Sequence, residues 1–273
     1  MVRALARSSH PGPTSAVTVL VLALAWGYGL DGWRIAVATV VILANQLSVG
    51  LSNDWLDVAR DRASERTDKP LVSGEVSTRQ VAGVALALAA ASVAFSLLLG
   101  PLAALANAVF LASGWLYNLG LKSTPFSVLP YAVGFGSLPA FVTLAADVPH
   151  FAAPWAVTAG ALLGVSAHFS NVLPDLDDDS RTGVHGLPHA LGSPLSAAII
   201  AVGLIGASAA AVFGPGDTPQ FLAVVGFSIT VVIATVCVAL IARGSLRRVL
   251  FRLTILAAAI TTALVVVSAS ALS

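Results

Sequence analysis

Two stretches of the chain, SNDWLDVARD (Ser52–Asp61) and SNVLPDLDDD (Ser170–Asp179), share the pattern Ser-Asn-x-x-x-Asp-x-x-x-Asp. Residues four apart lie on one face of a helix, so the first copy predicts a row of oxygen ligands from Asn53, Asp57 and Asp61, and the second a row from Asn171, Asp175 and Asp179. Neighbouring carboxylates repel and are costly beside lipid, so two such rows demand a counter-charge. Magnesium suits them, because it takes oxygen ligands, keeps several waters and binds one or two carboxylates together with substrate phosphate. Calcium would want the EF-hand spacing and its turning glycine, and zinc more Cys or His. Acids that merely pair with arginines in a wet loop have no reason to repeat an Asn and two Asp at the same spacing. Taken singly, Asp54, Glu65, Asp68, Asp177 and Asp178 fit that plainer reading as well as any other.

The basic residues supply the other half of the chemistry. After the first row the sequence DRASERTDKPLVSG brings Arg62, Arg66 and Lys69; YNLGLKSTP brings Tyr117 and Lys122; Arg181 follows the second row. Arg grips phosphate with a planar fork and Lys acts as a point charge. Metal and guanidinium together are how a diphosphate is held.

The elements that must position these groups belong in a bilayer. Of 273 residues, 57% are hydrophobic and 10% charged, and the mean hydropathy is +0.91, far outside the globular norm. A crossing helix needs about 20 mostly apolar residues, and nine such runs are expected: Ser15–Leu30, Trp33–Asn53, Thr78–Leu99, Pro101–Leu119, Ser127–Ala146, Ala152–Leu173, Leu195–Phe213, Gln220–Ala242 and Leu246–Ser270. The first follows Arg3 and Arg7 and superficially resembles a secretion signal, but it is long enough to span and reads as a retained helix. The fold class is thus all-α, a polytopic membrane bundle forming one domain over residues 1–273. The two motif copies, each at the end of an even-numbered helix, suggest a duplication of helices 1–4 and 5–8.

The positive charges test this map. Of the fourteen Lys and Arg residues, only Arg34 falls on one side; Arg3, Arg7, Arg60, Arg62, Arg66, Lys69, Arg79, Lys122, Arg181, Arg243, Arg247, Arg248 and Arg252 fall on the other, which must be cytoplasmic. The N-terminus is then cytoplasmic and the C-terminus extracytoplasmic, the expected location being the plasma membrane of a prokaryote. The cytoplasmic connections after helices 2 and 6 carry ten of the thirteen acidic residues, so the active site is expected there. A net charge of +1 leaves no basic face for nucleic acid. The single Cys237 lies in an apolar run and builds no disulfide framework.

The motifs resemble those of the UbiA superfamily of intramembrane prenyltransferases, whose signature is NDxxDxxxD after helix 2 and DxxxD after helix 6. Here the first reads Asn53-Asp54-x-x-Asp57-x-x-x-Asp61 and the second Asp175-x-x-x-Asp179; the RTDKPLVSG loop, the Tyr117…Lys122 segment and the helix count are similar too. The resemblance implies that Asn53, Asp57, Asp61, Asp175 and Asp179 hold two Mg²⁺ on the diphosphate of an isoprenoid donor. It also implies that Asp54, Arg62, Arg66, Lys69, Lys122, Arg181 and Asn171 line the donor's site, and that Tyr117 and Lys122 take part in catalysis beside the carboxylates. The acceptor would be a small aromatic or lipid-soluble molecule, with membrane lipid around the bundle. One departure concerns the first helix, where family members commonly carry an Arg or other polar groups for an aromatic acid. This chain opens SSHPGPTSAV, with His10 as the nearest polar candidate. The continuation DDDSRTGVHGLPHALG is somewhat similar to members of naphthoquinone pathways but assigns no acceptor; His185 and His189 are placed to touch substrate but lie in a Gly/Pro loop where solvated histidines are ordinary, and the sequence gives His168 no assigned role.

Two other readings stay open at this level. A terpene cyclase of the same fold would ionise the diphosphate and let the chain's own double bonds attack. A cation or organic-anion transporter would use the acids as a path, although transport sites lie near the midplane on broken helices rather than at the membrane face.

Overall fold

The computed structural model describes residues 1–176, 183, 185–216, 218–242 and 247–272, without the side chains at 175, 241–252 and 254. Among them all regular structure is helical. Eleven α-helices run in order: α1 (Val2–Ser8), α2 (Pro11–Tyr28), α3 (Gly32–Ala63), α4 (Pro70–Ser73), α5 (Thr78–Ser96), α6 (Pro101–Leu119), α7 (Leu129–Leu144), α8 (Pro154–Val172), α9 (Leu187–Phe213), α10 (Phe221–Ala242) and α11 (Arg247–Val267). The nine longer helices stand where the nine runs were expected. Five of them, α3, α5, α6, α9 and α10, are long and apolar enough by length and composition alone to cross a membrane.

The helix boundaries follow from local chemistry. Proline opens α2, α6 and α8, where its missing N–H costs nothing. Ser77 and Gln80 form a reciprocal capping box at the start of α5. Gly29 and Gly120, both at positive φ, close α2 and α6. Two boundaries differ from the sequence expectation. The second helix does not stop at Asn53 but continues to Ala63, making 32 residues, roughly 48 Å against a hydrocarbon core of about 30 Å. Its surplus turns carry the first motif. The seventh element begins not at Leu195 but at Leu187, with a break at Gly192, whose φ of 72° and ψ of 172° are not helical.

Packing reconciles an apolar exterior with polar seams. Trp26, Val40, Leu86, Phe95, Leu105 and Val202 are exposed on the outside, as expected of a surface that faces lipid. Inside, α2 belongs to the core through Val17, Val21, Leu24 and Ala25. Asn45 on α3 donates to the Asn107 side chain on α6 (2.9 Å), and Asn107 in turn donates to Ser92 on α5 (3.0 Å). Ser208 on α9 bonds Thr261 on α11 (2.8 Å). Such pairs tie helices together where burial of apolar surface gives no drive in lipid. At the end remote from the motif, Arg34 donates to the Ala145 carbonyl and to Asp147, joining the start of α3 to the end of α7.

Helices α7 and α8 meet backbone to backbone. Gly160 and Gly164, one turn apart on α8, lie against the carbonyls of Phe135 and Tyr131; a Cβ at Gly160 would sit 2.5 Å from the Phe135 oxygen, and one at Gly164 would overlap the Tyr131 oxygen. This is the small-residue spacing that lets backbones meet in membranes. Gly164→Val should therefore cost about 2–3 kcal/mol by overpacking, read as a lowered midpoint of thermal unfolding in detergent micelles. A midpoint equal to that of the parent protein would contradict the packing.

Candidate active site

The first motif is one continuous helical face at the end of α3. Asp54, Asp57 and Asp61 are buried and Asn53 half-buried, because the surrounding loops fold down over the helix rather than leaving it in solvent. Asp57 is held from two sides: Arg60, three residues on, donates at 2.7 Å, and Lys122 reaches it from the 3-10 turn Leu121–Ser123 after α6. The Lys122 side chain is only 10% exposed, and burial holds its ammonium below the ordinary lysine value, an effect that Asp57 partly offsets. Asp61, one turn beyond Asp57, has no ion pair among the described residues.

Asp54 points to a different part of the roof. It pairs with Lys69, from the loop after α3, and with His10 Nε2 at 2.9 Å. Its second oxygen, Oδ2, is buried without a hydrogen-bond partner among the described residues. His10 has a φ of 52°, a conformation that costs a non-glycine residue of order 1–2 kcal/mol. It is fixed by that ion pair and by the backbone beside it, for a Cβ on Gly50 of α3 would overlap the Ser9 carbonyl. Arg7 of α1 extends the same clamp, donating to Glu75 (3.0 Å) and to the Asp68 carbonyl (2.8 Å). The N-terminal segment is thus part of the lid over the first motif, and His10 serves Asp54 there.

The other basic candidates divide. Arg66 is exposed and bonds Asp68 (3.1 Å), whose carboxyl this hydrogen bond holds below the usual range; Arg62 is exposed. Both stand on the rim. Tyr117 lies inward, edge-on to Tyr131 (5.2 Å) and to His168 (5.8 Å).

The second motif starts on a tighter turn than the first. Pro174 cannot continue an α-helix; α8 ends at Val172 and a 3-10 turn, Leu173–Asp175, follows. Asn171 is exposed in the last turn of α8. Asp175 lies in the 3-10 turn, its side chain outside the described residues, as are Asp177, Asp178, Asp179 and Arg181 altogether. His185 is exposed, 6.3 Å ring to ring from His189, and His189 Nδ1 accepts from the Gly186 N–H (3.1 Å). Among the described residues no three His, Cys, Asp or Glu side chains are grouped to hold a metal. The first row by itself offers the oxygens of Asn53, Asp57 and Asp61, an all-oxygen set that fits a hard divalent cation shared with further ligands.

Three residues that matter to this geometry carried little sequence signal. Arg60 could have been found from its i,i+3 spacing to Asp57. Asn118, whose amide bonds the Val49 carbonyl and Ser52 (2.9 and 2.8 Å), and Trp115, which donates to Ser48 (3.1 Å), dock α6 against α3 just beneath the motif and read in the sequence only as polar punctuation of an apolar run.

A model of the UbiA prenyltransferase family matches residues 14–256. The 4-hydroxybenzoate octaprenyltransferase of Methylobacillus flagellatus is 29% identical over 178 residues, 62% of this chain and 60% of that protein. The bacteriochlorophyll synthase 33 kDa chain of Cereibacter sphaeroides is 28% identical over 176 residues, 58% and 55% respectively. The chain thus spans somewhat over half the length of these curated relatives. Among solved structures, a UbiA homologue from Aeropyrum pernix matches with a TM-score of 0.73 at 23% identity, covering 92% of this chain and 98% of that one. A UbiA homologue from Archaeoglobus fulgidus bound to GPP and Mg²⁺ matches with a TM-score of 0.72 at 14% identity, covering 96% and 99%. At these identities the structural likeness establishes the fold.

Proposed function

The chain belongs to the UbiA prenyltransferase family and is an integral membrane protein, and from that premise we propose that it transfers an isoprenoid chain from a prenyl diphosphate to an aromatic or quinone-precursor acceptor. The observation that carries the reading is the convergence on Asp57: the loop after α6 delivers Lys122 to the motif at the end of α3, so carboxylate ligands and a phosphate-binding ammonium meet in one buried place. The GPP and Mg²⁺ bound by the Archaeoglobus homologue, and the 4-hydroxybenzoate named for the Methylobacillus relative, support the same donor, metal and acceptor class here. The positive-inside pattern supports a cytoplasmic position for this end of the bundle.

Asn53, Asp57 and Asp61, completed by Asp175 and Asp179, would hold two Mg²⁺, which when bound neutralise the charge that gathers on the departing diphosphate. Lys122 and Lys69 then meet phosphate oxygens, with Arg62, Arg66 and Arg181 at the entrance. The C1–O bond breaks and its electron pair leaves with the diphosphate; a ring carbon of the acceptor bonds to C1 and later gives up its proton. Fixed cations aimed where that charge develops stabilise the transition state more than the ground state. The clamp of α1, His10 and the loop containing Lys69 excludes water while C1 is cationic.

The test is the purified protein in detergent with geranyl diphosphate, scored for inorganic diphosphate and organic products. Diphosphate release that needs Mg²⁺, stops with EDTA and yields a prenylated ring when 4-hydroxybenzoate or a dihydroxynaphthoate is supplied is the expected result. Cyclic hydrocarbon formed equally with and without acceptor would replace transfer by cyclisation, and metal-independent binding without cleavage would favour transport.

A further inference from the structure

The buried face of α8 carries one imidazole, His168, fully buried and seven residues before Asp175, about 10 Å deeper into the bundle. Its Nε2 lies 3.0 Å from Ser127 Oγ, at the start of α7. That hydroxyl also accepts the Leu187 N–H of α9 at 2.9 Å. Among the described residues Nε2 is the one acceptor within reach of the Ser127 hydroxyl proton, so the hydroxyl donates to Nε2 and the imidazole carries its hydrogen on Nδ1. His168 Nδ1 is buried and has no hydrogen-bond partner among the described residues. A buried donor left unmade costs about 1–3 kcal/mol, and native structures tolerate few of them.

The surroundings of this donor are aromatic. Tyr131 lies 5.0 Å from the imidazole, Phe169 5.5 Å and Tyr117 5.8 Å, ring to ring, while Tyr131 stacks on Phe135. The group is coupled to the diphosphate end of the site through Gly186, where a Cβ would meet Ser127 Oγ at 2.9 Å and the Lys122 carbonyl at 2.6 Å. The missing side chain lets the start of α9 close against the segment that carries both Lys122 and Ser127. Donor ammonium and orphan imidazole therefore ride on one packed unit, one near the membrane face and the other beneath it.

We infer that His168 Nδ1–H is the hydrogen bond that selects and orients the acceptor, an aromatic ring bearing a phenolic or carboxylate oxygen, held among Tyr117, Tyr131 and His168. The inference rests on the prenyl-transfer reading above and adds the residue that recognises the second substrate. A group of this kind sets where the ring lies relative to C1 without touching the diphosphate.

Two near-isosteres separate this role from a structural one. In His168→Gln the amide oxygen takes the place of Nε2 and keeps the Ser127 bond while the Nδ1 donor is lost; in His168→Asn the amide nitrogen takes the place of Nδ1 and the Ser127 bond is lost. With geranyl diphosphate and either 4-hydroxybenzoate or a dihydroxynaphthoate, His168→Gln should raise the acceptor KM about tenfold or more, leaving donor KM and unfolding midpoint near those of the parent. His168→Asn should unfold earlier but restore most of the acceptor affinity. The reverse order, with Gln better than Asn in both acceptor KM and stability, overturns the inference and leaves His168 as a tie between α7, α8 and α9. If the parent protein cleaves geranyl diphosphate in Mg²⁺ but prenylates neither ring, the inference fails and diphosphate cleavage stands. If it cleaves no diphosphate at all, the prenyl-transfer reading fails first and takes the inference with it.

Discussion

Asp57→Asn and Asp175→Asn should each reduce turnover about 1,000-fold or more, and the double variant should be scarcely worse than either, because ligands of one shared centre act as a unit. Asparagine is the informative replacement at 57. Asp57 is buried against Lys122 and Arg60, and removing one member of a buried pair strands the other, a loss that in a well-buried pair reaches about 3–5 kcal/mol. Asp57→Ala would confound lost activity with lost structure, whereas the amide keeps the shape and one oxygen for Lys122. Asp61→Ala is the complementary variant, since Asp61 has no ion pair to strand among the described residues; it should lose turnover while its unfolding midpoint stays close to the parent's. Chelation with EDTA should abolish the activity of the parent protein and excess Mg²⁺ should restore it. Near-normal turnover by either single variant in Mg²⁺, or multiplicative losses in the double variant, would show that the two motifs do not share a centre.

How far the site was legible depended on whether a signal was local. The first motif is a spacing of four on a helix, and α3 carries it as expected, only farther: the hydropathy run ends near Asn53 because the acids begin there, while the helix continues to Ala63 because nothing between Trp55 and Ala63 breaks it. At the second motif the same spacing was read as the same row. Pro174 was the visible objection, since a residue without an N–H removes a hydrogen bond from the middle of that helix, and α8 gives way to a 3-10 turn after Val172. The two copies thus differ in backbone over Leu173–Asp175, where the first has continuous α-helix.

The burial of the first motif was not legible at all. Acids at a helix end read as wet, and their pairing with Lys69, Lys122 and His10 arises from chain segments distant in sequence. His10 illustrates the limit. Its sequence neighbourhood made it a candidate for the acceptor because it precedes the first long helix. In the folded chain it binds Asp54 over the top of the motif, and the imidazole that lies among aromatic rings, with a nitrogen unpartnered among the described residues, is His168, which in the sequence is one polar residue in an apolar run.

Lys122→Ala should separate donor from acceptor and, less obviously, donor from metal. In the free protein the Lys122 ammonium neutralises Asp57; if the same ammonium meets the diphosphate once donor binds, it must compete with cations for Asp57 and cooperate with them for the donor. A charge-assisted hydrogen bond to a phosphate oxygen is worth about 1.5–3 kcal/mol, so kcat/KM for geranyl diphosphate should fall roughly 10- to 100-fold, with the acceptor KM nearly unchanged. The Mg²⁺ concentration giving half-maximal rate at saturating donor should hold steady or fall, because Asp57 has lost a resident cation. Lys122→Arg should recover only part of the loss: the side chain is 10% exposed, so a bulkier head must displace its neighbours, and a planar fork is a poor copy of a point charge. A rise in the Mg²⁺ requirement parallel to the rise in donor KM would mean that Lys122 supports the metal site as a whole instead of exchanging between Asp57 and the diphosphate. A raised acceptor KM with donor KM unmoved would place Lys122 on the wrong substrate altogether.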